Sequence, residues 1–207
     1  FQGGWEAGSY GWQVLLHETA HAIGLKHPGN YNAGGGGTPG PYLAPAEDHR
    51  GNTIMSYRNA ANMRRIVAGE GGSLSRQPVH AGSLMGYDIA ALQYLYGAST
   101  TTTAATYSWA TDAAVSQTIW NPNAGSTIDL SNQTKNNVVD LRAGRWSSIG
   151  IRDPYADSGY TAAQYAALTS GGRKVSAILG NPTYDGRNNV LIAAGSRITQ
   201  ASGGSGN

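Results

Sequence analysis

The sequence predicts an α+β fold, in which a helix-bearing first half is followed by an all-β module. Three observations carry this. Residues 11–26 and 86–96 place apolar side chains at helical spacing. Residues 99–105 (STTTTAA) form a low-complexity run, where the character of the chain changes. Beyond that run come short segments rich in β-branched residues, separated by Asn, Gly, Ser and Pro. The predicted organisation is a unit at 1–98, a linker at 99–105 and a β-rich module at 106–207.

The first helix, over 11–26 (GWQVLLHETAHAIGLK), takes its apolar bulk from Val14, Leu15, Ala22, Ile23 and Leu25. Gly24 is placed to terminate it in a left-handed conformation. From Pro28 to Asn52 the chain reads as loop, with GGGG at 34–37 and prolines at 39, 41 and 45. Residues 53–57 are a short apolar stretch, and 58–82 are polar and irregular. The second helix, over 86–96 (GYDIAALQYLY), has Asp88 near its start and Gly97 past its end, with Ile89, Leu92, Leu95 and Tyr96 near one face. The β-rich segments are TYSW, VSQTIW, STIDL, NNVVDL, KVSAIL, NNVLIAA and SRIT, interrupted by a short helix around 161–168.

Composition narrows the function classes. A chain of 207 residues with 40% hydrophobic content can build one or two domains with a real core. Thirty glycines without collagen spacing imply many turns and long loops. A formal charge of +2 with no sustained Lys/Arg block argues against nucleic acid and membrane surfaces as partners. Without cysteine there is no disulfide and no thiolate metal site, so any metal must take His, carboxylate, Tyr or backbone ligands. No apolar run approaches a membrane span. The chain opens on Phe1, with no secretory signal, and is expected to have lost residues ahead of it.

Residues 17–27 (HETAHAIGLKH) fit H-E-x-x-H-x-x-G-x-x-H. His17 and His21, four apart, project from one helical face about a turn apart, as two ligands of one ion require. Glu18 lies about a quarter turn round, near the ion and suited to be general base. Gly24 permits the sharp turn that returns His27 as third ligand. Three protein ligands leave an open position for water, the mark of a catalytic Zn²⁺. A chance match to all five positions in a chain of this size has a probability of about 10⁻⁵. His49 and His80 have no motif partner and read as surface or loop residues, while Glu47 and Asp48 could bind an ion or cap a turn.

The motif, with HPGNYNAGGGG at 27–37 and IMSY at 54–57, resembles the serralysin branch of the metzincin zinc proteases. GYDIAALQYLYGA at 86–98 and NNVLIAAGSRITQASGGSGN at 188–207 are similar to later parts of the same family, whereas 142–187 is weakly matched. The resemblance implies a metzincin catalytic lobe with a zinc-binding helix, followed by a β-roll or β-sandwich-like module. It implies Met55 as the apolar floor under zinc, and Tyr57 as a ligand at rest that then stabilises the tetrahedral intermediate. Asp88 would be structural. The implied activity is zinc-dependent endopeptidase, acting on protein or peptide substrates and secreted from bacteria without a cleaved N-terminal signal.

Two departures qualify these expectations. Family members carry a large N-terminal lobe whose edge strand binds substrate, whereas this chain begins sixteen residues before His17. GGSGN also stops ahead of the Asp that completes a calcium-binding glycine-rich repeat. The expectation is a fragment docked against its missing N-terminal lobe. Asn121, Ser126 and Gln200 stand where the family tends to carry acidic residues, so calcium binding is expected to be sparse or weak. The competing readings are a non-catalytic metzincin-like binding or adhesion protein, and a fragment active only with its missing lobe. Trp109, Trp120, Trp146, Tyr155 and Tyr160 are expected to serve packing rather than carbohydrate binding.

Overall fold

Ser9 opens the first helix, α1 (Tyr10–Ala22), by accepting the Trp12 N–H on its side chain, which satisfies one of the donors a helix start leaves unpaired. The structure, a computed structural model, describes residues 4–31, 39–100 and 102–206. The glycine run at 34–37 and Thr101 of the linker lie outside the described residues. α1 ends at Ala22 rather than at Lys26, because Gly24 turns left-handed with φ of 101°. The Leu25 N–H then reaches Ala20 O and the Gly24 N–H reaches His21 O, a Schellman arrangement that reverses the chain. The other end of α1 is tied down by Trp12 Nε1–H on Gly82 O and by Gln13, whose side-chain oxygen accepts the Ala81 N–H.

Residues 58–82 are irregular only toward their two ends. They hold the antiparallel hairpin β1 (Arg64–Ala68) and β2 (Leu74–Pro78). Its alternation is hidden in sequence, because Ile66 is its one fully buried apolar residue and arginines flank it. α2 (Gly86–Tyr96) matches the sequence prediction in both bounds. Its expected apolar face does not, since Leu92 packs inward while Leu95 and Tyr96 are exposed.

The second half is strand-rich: β3 (Thr106–Tyr107), β4 (Gln117–Ile119), β5 (Ser126–Asp129), β6 (Asn136–Val138) and β7 (Trp146–Ile151). After α3 (Ala162–Ala167) come β8 (Thr169–Ser170), β9 (Arg173–Lys174), α4 (Val175–Leu179), β10 (Val190–Ile192) and β11 (Ile198–Ser202). One sheet runs β4-β10-β7-β6 and another β11-β5-β3, the latter joined by parallel pairings. Both contribute to one core, in which Ile119, Ile149, Val190 and Ile192 meet Ile128 and Ile198. KVSAIL forms no strand over its last five residues. There Val175 and Leu179, at helical i, i+4 spacing, turn onto Ile66 and Tyr165 as α4.

The two halves interlock. Trp146 of β7 packs on the cluster formed by Ala20, Leu25, Ile54, Met55, Ala81 and Met85. Trp109, Tyr155 and Tyr160 also pack against buried clusters. The positions singled out for calcium are engaged by protein groups. The Asn121 amide donates to Thr103 O and Tyr107 Oη, Ser126 Oγ accepts the Ala105 N–H, and Gln200 Oε1 accepts the Thr127 hydroxyl.

Candidate metal centre

α1 and the turn after it bring His17, His21 and His27 to one point, where their ligand atoms all lie within 4.8 Å of one another. The Nε2 atoms of His21 and His27 are 3.0 Å apart, and those of His27 and His17 are 3.2 Å apart. Each ring is oriented from behind by a backbone carbonyl. His17 Nδ1 lies 2.8 Å from Ile54 O, His21 Nδ1 2.9 Å from Leu25 O and His27 Nδ1 2.8 Å from Tyr31 O.

A carbonyl can only accept, so each Nδ1 carries the proton and each Nε2 presents a lone pair. Three lone pairs then converge with no proton between them. That arrangement is repulsive unless a cation sits at the centre. A tetrahedral ion bound at about 2.0–2.1 Å to nitrogen requires ligand separations of roughly 3.3–3.4 Å, close to those observed. Burial lowers the His17 pKa below its usual value, and His21 and His27 push the same way against the Ile54 carbonyl and Glu18. His17 therefore stays neutral and ligand-competent near neutral pH.

Behind the histidines, residues 53–57 form a turn rather than a strand. Met55 is buried there beside Ala20, which precedes His21, and Leu25, whose carbonyl orients that histidine. The turn is held by Asp88, itself buried. Its carboxylate accepts the Thr53 hydroxyl at 2.5 Å and the N–H groups of Ile54 and Met85, each at 2.8 Å. Burial outweighs these donors and leaves the Asp88 carboxyl above the ordinary carboxylate value. Ile54 is thus held on both sides, its N–H donating to Asp88 and its carbonyl accepting from His17. Tyr57 lies against the centre, its ring centroid 4.4 Å from that of His27 and 5.8 Å from that of His17. Glu18 is exposed, and close enough to His17 to act on it electrostatically.

The structure thus brings His17, His21 and His27 together with Tyr57 against them, while Met55 packs on Ala20 and Leu25 and Glu18 stays exposed. Of the remaining candidates, both histidines lie in loops: His49 accepts the Gly51 N–H on Nδ1, and His80 is half-buried against the ring of Tyr10. The Asp48 carboxylate is buried and bonded to Tyr31 and Ser56, which sequence left open between ion binding and capping. Sequence reasoning missed the three orienting carbonyls, because a backbone oxygen has no side-chain signature.

Residues 5–67 match the model of Metallo-peptidase family M12. The chain is similar to serralysin of Proteus mirabilis, with 38% identity over 161 residues that cover 70% of this chain and 30% of the relative. It is similar to serralysin C of Dickeya chrysanthemi, with 35% identity over 199 residues covering 96% of this chain and 35% of the relative. This segment belongs to the serralysin-type metzincins. A further serralysin-type relative, metalloprotease AprA of Pseudomonas entomophila, is 33% identical over 157 residues covering 69% of this chain and 31% of its own. The chain thus spans about a third of the length of the curated relatives it matches. The M12 match covers α1, the three histidines and Tyr57, so it falls on the part of the molecule that builds the centre.

Proposed function

We propose that the protein to which this chain belongs is a zinc-dependent endopeptidase that hydrolyses peptide bonds in protein substrates. The observation that carries this reading is the convergence of three Nε2 lone pairs beside Glu18 and Tyr57. His17, His21 and His27 hold the ion, with Tyr57 as a fourth candidate ligand and Met55 as the apolar floor. Zinc bound there supplies a Lewis acid that polarises the scissile carbonyl and acidifies water. Glu18 takes a proton from the attacking water and delivers it to the departing amine. The Tyr57 hydroxyl donates to the oxyanion as it develops on the carbonyl carbon's oxygen.

In the same reading, residues 1–98 form the C-terminal part of the catalytic domain and 106–207 the module that follows it. The partner is an N-terminal lobe of the same protein, and the enzyme is secreted by a bacterium. Exposed apolar side chains on or next to α1 and α2, Leu15, Ile23, Leu95 and Tyr96, support a docking lobe there. Among the described residues no helix is long and apolar enough to cross a membrane.

The test uses full-length protein. Glu18→Ala is expected to retain zinc by elemental analysis and to lose nearly all turnover of casein, whereas His21→Ala loses both. Retained turnover in Glu18→Ala would remove Glu18 from the role of base.

A further inference from the structure

Tyr31 and Ser56 come from segments 25 residues apart, yet both hydroxyls donate to the same atom. Asp48 Oδ1 accepts the Tyr31 hydroxyl at 2.6 Å and the Ser56 hydroxyl at 2.6 Å. The carboxylate is buried, with 3% of its side-chain surface exposed, and its other oxygen faces Arg58 Nε at 3.6 Å. A buried carboxylate needs such partners, and here it has charge and hydrogen bonds together.

Each donor stands one covalent step from the metal centre. The Tyr31 carbonyl is the group that orients His27, at 2.8 Å from its Nδ1. Ser56 immediately precedes Tyr57, and its carbonyl is held by Arg50 Nε–H at 3.0 Å. The Tyr31 ring packs beside both targets, with centroids 5.5 Å from His27 and 5.1 Å from Tyr57. Gly29 leaves room for this packing. A Cβ there would stand 2.2 Å from Tyr31 Cε1 and 2.9 Å from Asp48 Oδ2.

We propose that Asp48 is the positioning residue of the metal centre, tying through Tyr31 and Ser56 the orientation of His27 to the placement of Tyr57. Asp48 touches neither ion nor substrate. It acts by fixing the carbonyl behind one ligand and the peptide ahead of the tyrosine. The two arms are distinguishable from one side only: the Tyr31 hydroxyl also meets Ser56 Oγ at 3.4 Å and the Tyr57 backbone, whereas Ser56 has no link to the carbonyl behind His27 other than through Tyr31. The proposal rests on the zinc peptidase reading for its catalytic arm, whereas its metal-affinity arm does not require turnover.

The experiment measures zinc affinity by chelator competition, together with kcat and KM, in full-length Tyr31→Phe, Ser56→Ala and Asp48→Ala. Tyr31→Phe keeps the ring and the carbonyl but frees the hydroxyl anchor. It is expected to weaken zinc binding about tenfold, as loss of an outer partner of a ligating histidine does. Ser56→Ala is expected to keep zinc affinity within about twofold and to lower kcat roughly tenfold at unchanged KM. Asp48→Ala is expected to show both effects. Should it fail to fold, the two milder variants decide alone. Zinc affinity and kcat both within about twofold of the parent in Tyr31→Phe and Ser56→Ala, whatever their melting temperatures, would overturn the proposal. If the parent binds zinc but cleaves no peptide, the peptidase reading falls, and the affinity arm of Tyr31→Phe still decides this one.

Discussion

The metal centre and the paired sheets are organised by different chemistry. Around the histidines, two buried carboxylates, Asp48 and Asp88, gather donors from distant segments and fix short turns. In the sheets the buried organisers are two neutral amides and one guanidinium, Arg152, which donates to Gly150 O, Asp112 O and Ala113 O. Asn189 brackets the Ile149 peptide, accepting its N–H at 2.9 Å and donating to its carbonyl at 2.8 Å, while Gln133 donates to Trp109 O and Ala110 O. An amide matches a strand peptide, one donor to one acceptor. A carboxylate can only accept, so it suits places where several N–H and O–H groups of non-repetitive backbone converge. The difference teaches that irregular backbone at the centre is held by buried carboxylate acceptors, whereas the sheets hold themselves and close gaps with amide and guanidinium groups.

The largest expected effect tests that contrast directly. Asp88→Ala strands the Thr53 hydroxyl and the Ile54 and Met85 N–H groups, and should cost on the order of 3 kcal/mol or more. It should also lower zinc affinity, since the Ile54 carbonyl orients His17. Asn189→Ala should cost less, about 1–3 kcal/mol, and leave zinc affinity unchanged. Urea unfolding and chelator competition measure both. A costlier Asn189→Ala would break the comparison.

Proton linkage gives the next effect. The folded-state pKa of Asp88 is raised above 3.8, chiefly by burial. Its stabilising contribution is therefore complete below the unfolded carboxylate value, and is lost as pH rises through the raised folded value. In metal-free protein, the parent should gain stability relative to Asp88→Asn as pH falls from neutral through that window. The sheet region has its counterpart in Tyr184, raised above 10.0 mainly by burial, whose contribution is lost only at alkaline pH. Tyr184→Phe should therefore show no such acid-range gain. Urea midpoints across pH check both.

The smallest effect concerns calcium. Asn121, Ser126 and Gln200 spend their polar atoms on protein partners, so a calorimetric titration should show no submicromolar calcium event. A submicromolar event would mean that the module relies on carboxylates as the centre does.

Legibility in the sequence follows from range. α2 was readable in both bounds because capping and spacing act within a few residues. The β1–β2 hairpin was not, since Ile66 is buried by Tyr165 and Val175, roughly a hundred residues on. KVSAIL read as strand from its β-branched residues, although Val175 and Leu179 already carried the helical spacing that tertiary contact selected.

By itself the sequence determined the candidate ligand triad. Spacing on one helix and a glycine-permitted turn are local geometry, and His17, His21 and His27 need nothing more to face one ion. Only the tertiary structure decided what holds that geometry. The carbonyls of Ile54 and Tyr31 and the carboxylates of Asp48 and Asp88 reach the site by folding. Which buried donors need an acceptor is set by which segments meet, and no spacing along the chain records it.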